Sequence, residues 1–308
     1  MGENLRNIII SGATGFIGEN FVKEMLNNGY TVYAIARTPK KLTGLDGYNN
    51  LIVINSDLEN LSEKDFPSKS YDCFFHFAWS GVNRKDIDDS VIHHKNFELS
   101  KKVLKIAKNL QCRCFMDSGS KAEYGWQEGE QVETNRCMPY NAYGKEKYNF
   151  YNWAREYTRE NGMYYFHPRF FSVIGVGDHP WSLVSTACRK FALDEDMSFG
   201  SCKQLWNFMA VSDAVEATRR IYEVIDKVEI RDNAIFNIAG YDTRVLRSFV
   251  EEIYTIVQSK SKLTFQQNVS KKNMDYMNPS IEKMVQLTGW KPQILFSEVV
   301  KQIVESKF

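Results

Sequence analysis

The chain has 308 residues, 43% hydrophobic and 25% charged, with 39 Lys plus Arg against 38 Asp plus Glu and a formal net charge of +1. That balance offers no electrostatic attraction for nucleic acid or an anionic membrane surface, so neither is expected as a partner. The apolar runs Ile8 to Ile10 and Cys73 to Trp79 fall far short of the ~20 residues a membrane-spanning helix needs, and Met1 to Asn7 is too polar for a signal peptide, so a soluble, cytoplasmic protein is expected.

In chain order, Asn7 to Ser11 reads as a buried strand, and Phe16 to Asn28 as a helix with Phe21, Val22, Met25 and Leu26 on one face. Strands follow at Thr31 to Ala36, Leu51 to Asn55 and Asp72 to Phe77. A long helix, Val91 to Asn109, then a strand at Cys112 to Asp117, a second long helix at Asn141 to Asn161 and a strand at Met163 to Phe171 complete the regular part. Beyond Gly177 the alternation loosens. A helix is expected near Trp181 to Ala192, a strand at Gln204 to Val211, a helix to Ile225 and a buried strand at Ala234 to Ala239. A helix at Val245 to Val257, a strand at Lys262 to Gln266 and two short helices end the chain.

Continuous apolar strands alternating with helices imply a parallel sheet covered on both faces. The predicted class is α/β: a doubly wound parallel sheet over 1–175, with returning segments at about 204–216 and 233–241, and a smaller α+β C-terminal substrate cap from 176–203, 217–232 and 242–308. Cys73, Cys112, Cys114, Cys137, Cys188 and Cys202 contain no C-x-x-C pair and read as reduced thiols packed as small hydrophobes. His93 and His94 are adjacent and diverge by about 100° on a helix, so no metal site is expected there.

Gly12, Gly15 and Gly18 follow the first strand and open the first helix; with 18 glycines in the chain, such a triplet arises by chance about 0.06 times. Glycines let the backbone approach a pyrophosphate, which the helix N-terminus then stabilises, so a Rossmann-type dinucleotide site is expected. At the end of the second strand, where an acidic residue would accept from the adenosine ribose, stand Arg37, Lys40 and Lys41. An Arg there pairs with a 2′-phosphate, favouring NADP(H) over NAD(H), which stays open. Asp57, after the third strand, is placed near the adenine or as a turn cap.

Tyr143 and Lys147 share one face at the start of the second long helix. With 16 tyrosines, roughly one Y-x-x-x-K pair arises by chance, so position matters more than the pattern. The preceding strand ends at Ser118, Gly119 and Ser120, and ligands bind outside the carboxyl ends of parallel strands. Hydride transfer between a nicotinamide and a C–O carbon needs a proton donor or acceptor on the oxygen. A tyrosine made more acidic by a nearby ammonium and an oxidised nicotinamide serves, with Ser120 holding the same oxygen.

On these residues the chain resembles the extended short-chain dehydrogenase/reductases that modify nucleotide sugars. The resemblance runs over GATGFIG, HFAW (His76 to Trp79), Asn96, DSGSKAEYG (Asp117 to Gly125), the Tyr143 and Lys147 pair, HPRFFSVIGVGD (His167 to Asp178), QLWNFMAVSDAVEA (Gln204 to Ala217) and TGWKP (Thr288 to Pro292). It implies Ser120, Tyr143 and Lys147 as catalytic. Dinucleotide contacts are implied from Gly12, Thr14, Gly15, Phe16, Ile17, Gly18, Arg37, Asp57, Leu58, Phe77, Ala78, Trp79, Asn96, Ser118, Tyr143, Lys147 and Phe170. Ser120, Lys121, Ser172 and Trp206 are implied to meet a nucleotide-diphosphate sugar. By the same resemblance the two long helices pair with a second copy in a homodimer, Tyr148, Tyr151 and Trp153 being candidates either for the seam or for core packing.

Sugar dehydratases of the family carry Asp and Glu after the catalytic Ser or Thr, where this chain has Lys121 and Ala122. The 3,5-epimerising reductases place a Cys two residues before the Tyr of that motif, where Ala122 again stands. Two reactions then remain: reduction of a 4-keto-6-deoxy nucleotide sugar, favoured by Arg37, and NAD-dependent 4-epimerisation. The sequence is similar to the CDP-abequose and CDP-paratose synthase-like reductases, and GDHPWSLV and QLWNFMAV resemble oxidoreductases of bacterial surface-polysaccharide clusters. A non-catalytic dinucleotide sensor is a third reading. The family's diphosphate-binding Arg is replaced by Trp206, the following Asp by Asn207, and a sugar-binding Asn by Ser172; Lys203 or Lys271 could supply the missing cation.

Overall fold

The three isoleucines of β1 (Asn7–Ser11) have no solvent exposure, because the strand lies inside a parallel sheet with a neighbour on each side. The computed structural model describes residues 7–67, 70–225, 235–266 and 276–307. After β1 come α1 (Phe16–Asn27), β2 (Thr31–Ala36), β3 (Leu51–Asn55), β4 (Cys73–His76), α2 (Ser90–Asn109), β5 (Cys114–Asp117) and β6 (Gly119–Ser120). The chain continues through α3 (Ala142–Glu160), β7 (Tyr164–Phe170), β8 (Ser172–Ile174), α4 (Leu183–Ala192), β9 (Met197–Phe199), β10 (Leu205–Ala210) and α5 (Val211–Glu223). It ends with β11 (Ile235–Ile238), β12 (Thr243–Val245), α6 (Leu246–Val257), β13 (Leu263–Phe265), α7 (Glu282–Thr288) and α8 (Phe296–Glu305).

The main sheet runs β3-β2-β1-β4-β5-β7-β11, with β6 beside β7. Pairings from β3 across to β7 are parallel, and Ser11 sits opposite His76 where the order reverses between β1 and β4. A reversal of this kind opens a crevice at the carboxyl ends of the two strands. Helices cover both faces. Phe21, Val22, Met25 and Leu26 of α1 are buried, and each such side chain contributes about 1.5–3 kcal/mol by leaving water. Val103, Leu104 and Ala107 of α2 and Phe150 and Ala154 of α3 pack with Phe74, Phe115 and Tyr165.

The long helices start where side chains cap them. Asp89 accepts from the Val91 and Ile92 amides, and Asn141 from the Gly144 amide at 2.7 Å. The strand expected from Cys112 begins only at Cys114. Gln111 adopts a left-handed conformation (φ 59°) and the Cys112 amide donates back to the Ala107 carbonyl, so this stretch closes α2. The strand expected from Met163 to Phe171 stops at Phe170, and β8 follows as a separate short strand.

Two compact units divide the chain: 1–125, 136–169 and 218–236 in one, and 126–135, 170–217 and 237–308 in the other. Within the described residues this differs from the expected boundaries at 126–135, 170–175, 204–216, 218–225 and 237–241. β10, expected as a segment returning to the first unit, pairs with β8 and β12 in a three-stranded sheet of the second. The last turns of α5, expected in the cap, belong to the first unit, where Arg219 donates to Glu24 of α1 at 2.6 Å and the Tyr222 hydroxyl to Asp72. Residues 226–234 of these expected boundaries lie outside the described residues. The second unit has its own core, in which Val184, Cys188 and Phe191 of α4 meet Phe249 and Ile253 of α6 and Val299 and Val300 of α8. Among the described residues no helix is long and apolar enough to cross a membrane.

Candidate active site

The glycines after β1 are required for different reasons. Gly12 has φ 73°, and a Cβ on it would lie 2.6 Å from the Ala78 amide nitrogen just beyond β4. A Cβ on Gly18 would lie 2.1 Å from the Gly12 carbonyl oxygen, so this position lets α1 pack onto its own turn. Gly15 has an ordinary extended backbone, and an added Cβ would meet only the Gly12 oxygen at 3.3 Å. The protein's own packing therefore demands Gly12 and Gly18 most strongly, whereas a Cβ on Gly15 would press only on the Gly12 oxygen. Gly15 is also the N-cap of α1 and offers no side-chain cap; the first helical bond runs from Glu19 to Gly15, so the preceding amides are available to an anion.

Beside this turn lies a cavity of about 630 Å³. Of the residues expected to touch a dinucleotide, Gly12, Thr14, Gly15, Arg37, Asp57, Leu58, Phe77, Ala78, Trp79 and Asn96 line it; Phe16, Ile17, Gly18, Ser118, Tyr143 and Lys147 do not. Phe170, Ser172 and Trp206 belong to the second unit. Lys41, noted beside Arg37, also lines the cavity, as do Ser80, Asp86 and Lys95, for which no role was expected. Arg37 and Lys41 put two cations at the end of β2, and Asp57, in the following turn, is held below the usual carboxylate range mainly by hydrogen bonds from Asn60 and to a lesser degree by Arg37. Asn96 is a wall rather than a free donor: its carbonyl accepts from the Ser80 amide and hydroxyl, and its amide donates to the Ser80 carbonyl at 2.9 Å. These features fit a dinucleotide: a helix N-terminus without a side-chain cap, glycines that bring the backbone close, and a cation pair at the end of β2.

Ser120, Tyr143 and Lys147 converge at the ends of β5 and α3. Gly144 makes this possible, because a Cβ there would lie 2.5 Å from the Ala122 carbonyl oxygen in the turn that follows Ser120. The Ser120 hydroxyl accepts from the Ala122 amide at 3.2 Å and lies near enough to the Tyr143 phenol to oppose the effect of burial on it. Lys147 is buried; its Nζ donates to the Ser118 carbonyl at 2.6 Å and lies 3.9 Å from the centre of the Trp79 ring. Trp79 thus forms a shared wall, with the cavity against it and the ammonium stacked on it. Its indole N–H donates to His93 Nδ1 at 3.1 Å, while His93 Nε2 faces the Asp86 carbonyl.

The expected acidification of Tyr143 is not seen here. Burial pushes its phenol up to about 12; the Ser120 hydroxyl opposes this, and Glu123 and Asp117 add to it. Lys147 is 6.0 Å from the ring centre and faces Trp79 and Ser118 instead. Burial also lowers Lys147 to about 8, against the pull of Asp117 and Glu123. The site therefore holds a protonated phenol beside an ammonium that is easily discharged.

Sequence reasoning quoted Asp117, Glu123, His167 and Arg169 within longer motifs and gave them no role. All four are buried. Their signal was available, since charged residues inside otherwise apolar strands must be paired. Tyr151, a candidate for a dimer seam or for core packing, is interior: it stacks on Tyr165 and lies 4.9 Å from His167. In the second unit Trp206 and Phe208 share one face of β10, Phe208 stands opposite Ser172, and the Ser172 hydroxyl meets the Met277 sulfur at 3.3 Å. Asn207 points the other way and pins the 240–243 loop through the Gly240 carbonyl and amide and the Thr243 hydroxyl. Lys121 lies in the turn after Ser120, and Lys271 lies outside the described residues.

Fold and geometry together define a dinucleotide-dependent α/β enzyme. A model of the NAD dependent epimerase/dehydratase family matches residues 8–239, and the chain belongs to that family. It is 27% identical over 259 residues, 80% of this chain and 88% of the relative, to a dTDP-6-deoxy-L-talose 4-dehydrogenase (NAD(+)) of Aggregatibacter actinomycetemcomitans. Among solved structures it shares its fold with a UDP-glucose 4-epimerase of Thermotoga maritima in complex with UDP-glucose (TM-score 0.84, 20% identity, 97% of each chain). It shares it equally with a UDP-glucuronic acid 4-epimerase of Bacillus cereus in complex with NAD (TM-score 0.84, 18% identity, 97% of this chain and 96% of that one).

Proposed function

We propose that the protein reduces a 4-keto-6-deoxy nucleotide sugar with NADP(H), Tyr143 giving the proton to the C4 oxygen. The observation that carries this is the convergence of Ser120, Tyr143 and Lys147 where β5 ends and α3 begins, with burial pushing the phenol up to about 12. A reductase needs a donor that is loaded before substrate arrives, and this one is. Ser120 holds the same oxygen, and the Lys147 ammonium limits the cost of the charge left on the phenol. The amides after Gly15 would hold the pyrophosphate, Arg37 and Lys41 a 2′-phosphate, and Lys147 and Ser118 the far end of the dinucleotide. When bound, the dinucleotide supplies the hydride.

The relative that oxidises a 6-deoxy sugar nucleotide at C4 supports this substrate class, since its reaction run backwards is a 4-keto reduction. That relative uses NAD(+), so the cation pair at Arg37 and Lys41 is what favours NADP(H) here. A 4-epimerase is the second reading, favoured by the shared fold with the two epimerases above. Ser172 and Trp206 would then contact the sugar nucleotide in either case. The same reading carries a homodimer through α2 and α3, with exposed Val91 on its face.

The deciding experiment measures NADPH and NADH oxidation against CDP-, dTDP-, GDP- and UDP-linked 4-keto-6-deoxy sugars. Stoichiometric oxidation with one of them is expected. Tightly retained NAD with interconversion of saturated sugar nucleotides would replace this reading by the epimerase.

A further inference from the structure

His167 lies fully buried on β7 between two carboxylates. Its Nδ1 is 2.9 and 3.1 Å from the two Asp117 oxygens, and its Nε2 is 2.9 and 3.0 Å from those of Glu123. An ionised carboxylate only accepts, so both ring nitrogens carry hydrogen and the ring is an imidazolium. Arg169 Nε donates to the second Glu123 oxygen at 2.8 Å, giving two anions and two cations in one buried cluster.

This cluster reaches the reactive groups by three routes. Glu123 accepts the Ser120 amide hydrogen at 2.7 Å and so fixes the turn that presents the Ser120 hydroxyl. Asp117 directly precedes Ser118, whose carbonyl receives the Lys147 ammonium. Between them, a Cβ on Gly119 would lie 2.6 Å from His167 Nε2, so the backbone from Ser118 to Ser120 is moulded on the imidazole. The other groups around Lys147 carry no compensating charge. His76 on β4 is bonded to Ser11 and Ser100 and is kept neutral by burial, at about 3. His93 on α2 accepts from Trp79 on one nitrogen, and burial lowers it; Tyr143 is a neutral phenol. Around His167, Tyr151 and Tyr165 are likewise kept neutral by burial, and the Tyr165 hydroxyl donates to Asp117 at 2.7 Å.

We propose that His167 is a positioning residue: its doubly held imidazolium locks the Ser120 turn and, by balancing Asp117 and Glu123, sets the charge that Lys147 sees. The proposal rests on the reading of Ser120, Tyr143 and Lys147 as the reactive groups. It makes a sign prediction that a merely structural role does not. Removing the cation with H167Q leaves the carboxylates in excess and raises the titration midpoint of Lys147; removing an anion with the isosteric E123Q lowers it.

The test follows the 13Cε shift of Lys147 against pH in lysine-labelled full-length protein, assigned by its loss in K147R. The midpoint is expected to move up by about one pH unit in H167Q and down by about one in E123Q. Y165F, which removes a bond to Asp117 without changing charge, should leave it in place. In the same variants kcat should fall at least tenfold while dinucleotide KM stays within twofold. Midpoints that stay put, or move in the same direction, overturn the proposal. Should H167Q lose dinucleotide binding through misfolding, E123Q alone decides by the sign of its shift. Opposite shifts in a protein that turns over no sugar nucleotide would sink the functional reading and keep the positioning role; turnover with unmoved midpoints would do the reverse.

Discussion

The two ends of the crevice are built on different physics. At the glycine end, shape does the work: Gly12 and Gly18 are excluded from bearing a Cβ by backbone atoms at 2.6 and 2.1 Å, and the start of α1 presents amides rather than side chains. At the Ser120 end, charge does it: a carboxylate, an imidazolium, a second carboxylate and a guanidinium sit buried in sequence behind one hydroxyl. A backbone cradle tolerates changes of pH and salt and fails on any added atom. A buried charge cluster tolerates modest changes of shape and fails when one charge is lost.

The sharpest way to separate the two is Tyr143→Phe, which should cost about 10²–10⁴-fold in kcat with dinucleotide affinity unchanged, measured by steady-state kinetics and binding titration. Gly18→Ala comes next. It should lower stability by about 3 kcal/mol in denaturant unfolding, whereas Gly15→Ala should leave stability within about 0.5 kcal/mol and weaken dinucleotide binding instead. If both glycine variants destabilise equally, the division of labour within the box is wrong. Arg37→Ala should weaken NADPH binding about tenfold while sparing NADH, as loss of a charge-assisted bond requires; equal losses for both would remove the case for NADP(H).

The smallest effect is the pH dependence of the charge cluster. Glu123 is held down to about 2 because His167 and Arg169 outweigh the effect of its burial, so its stabilisation is complete above its ordinary 4.5 and is lost as pH falls toward 2. His167 is held up to about 9 because Asp117 and Glu123 outweigh the effect of its burial, so its stabilisation is complete below its ordinary 6.5 and is lost as pH rises through 9. Wild type should therefore exceed H167Q in thermal midpoint most between about pH 4.5 and 6.5, with the gap shrinking on either side. A gap that grows from pH 6.5 to 9 would contradict the imidazolium assignment.

Most of the sheet was legible because its strands are short apolar runs in a fixed alternation with helices, and β1 to β3 fall on the expected residues. The glycine turn was legible because steric demand is written in a residue type. What was missed has a common cause. The Cys112 strand, β8, β9 and β12 depend on turns and short pairings that carry no periodicity over three residues. The return of α5 to the first unit depends on Arg219 finding Glu24, 195 positions earlier. The raised Tyr143 depends on how deeply its phenol is buried, and no spacing rule reports that, nor that Trp79 and Ser118 draw the Lys147 ammonium aside.

That indole has one more use. It borders the cavity on one side and carries a titratable ammonium on the other, so its emission should respond both to an occupant and to discharge of the amine. With six tryptophans in the chain, subtracting the spectrum of Trp79→Phe isolates this response and gives the protein a native optical probe of that cavity, needing no label and no substrate.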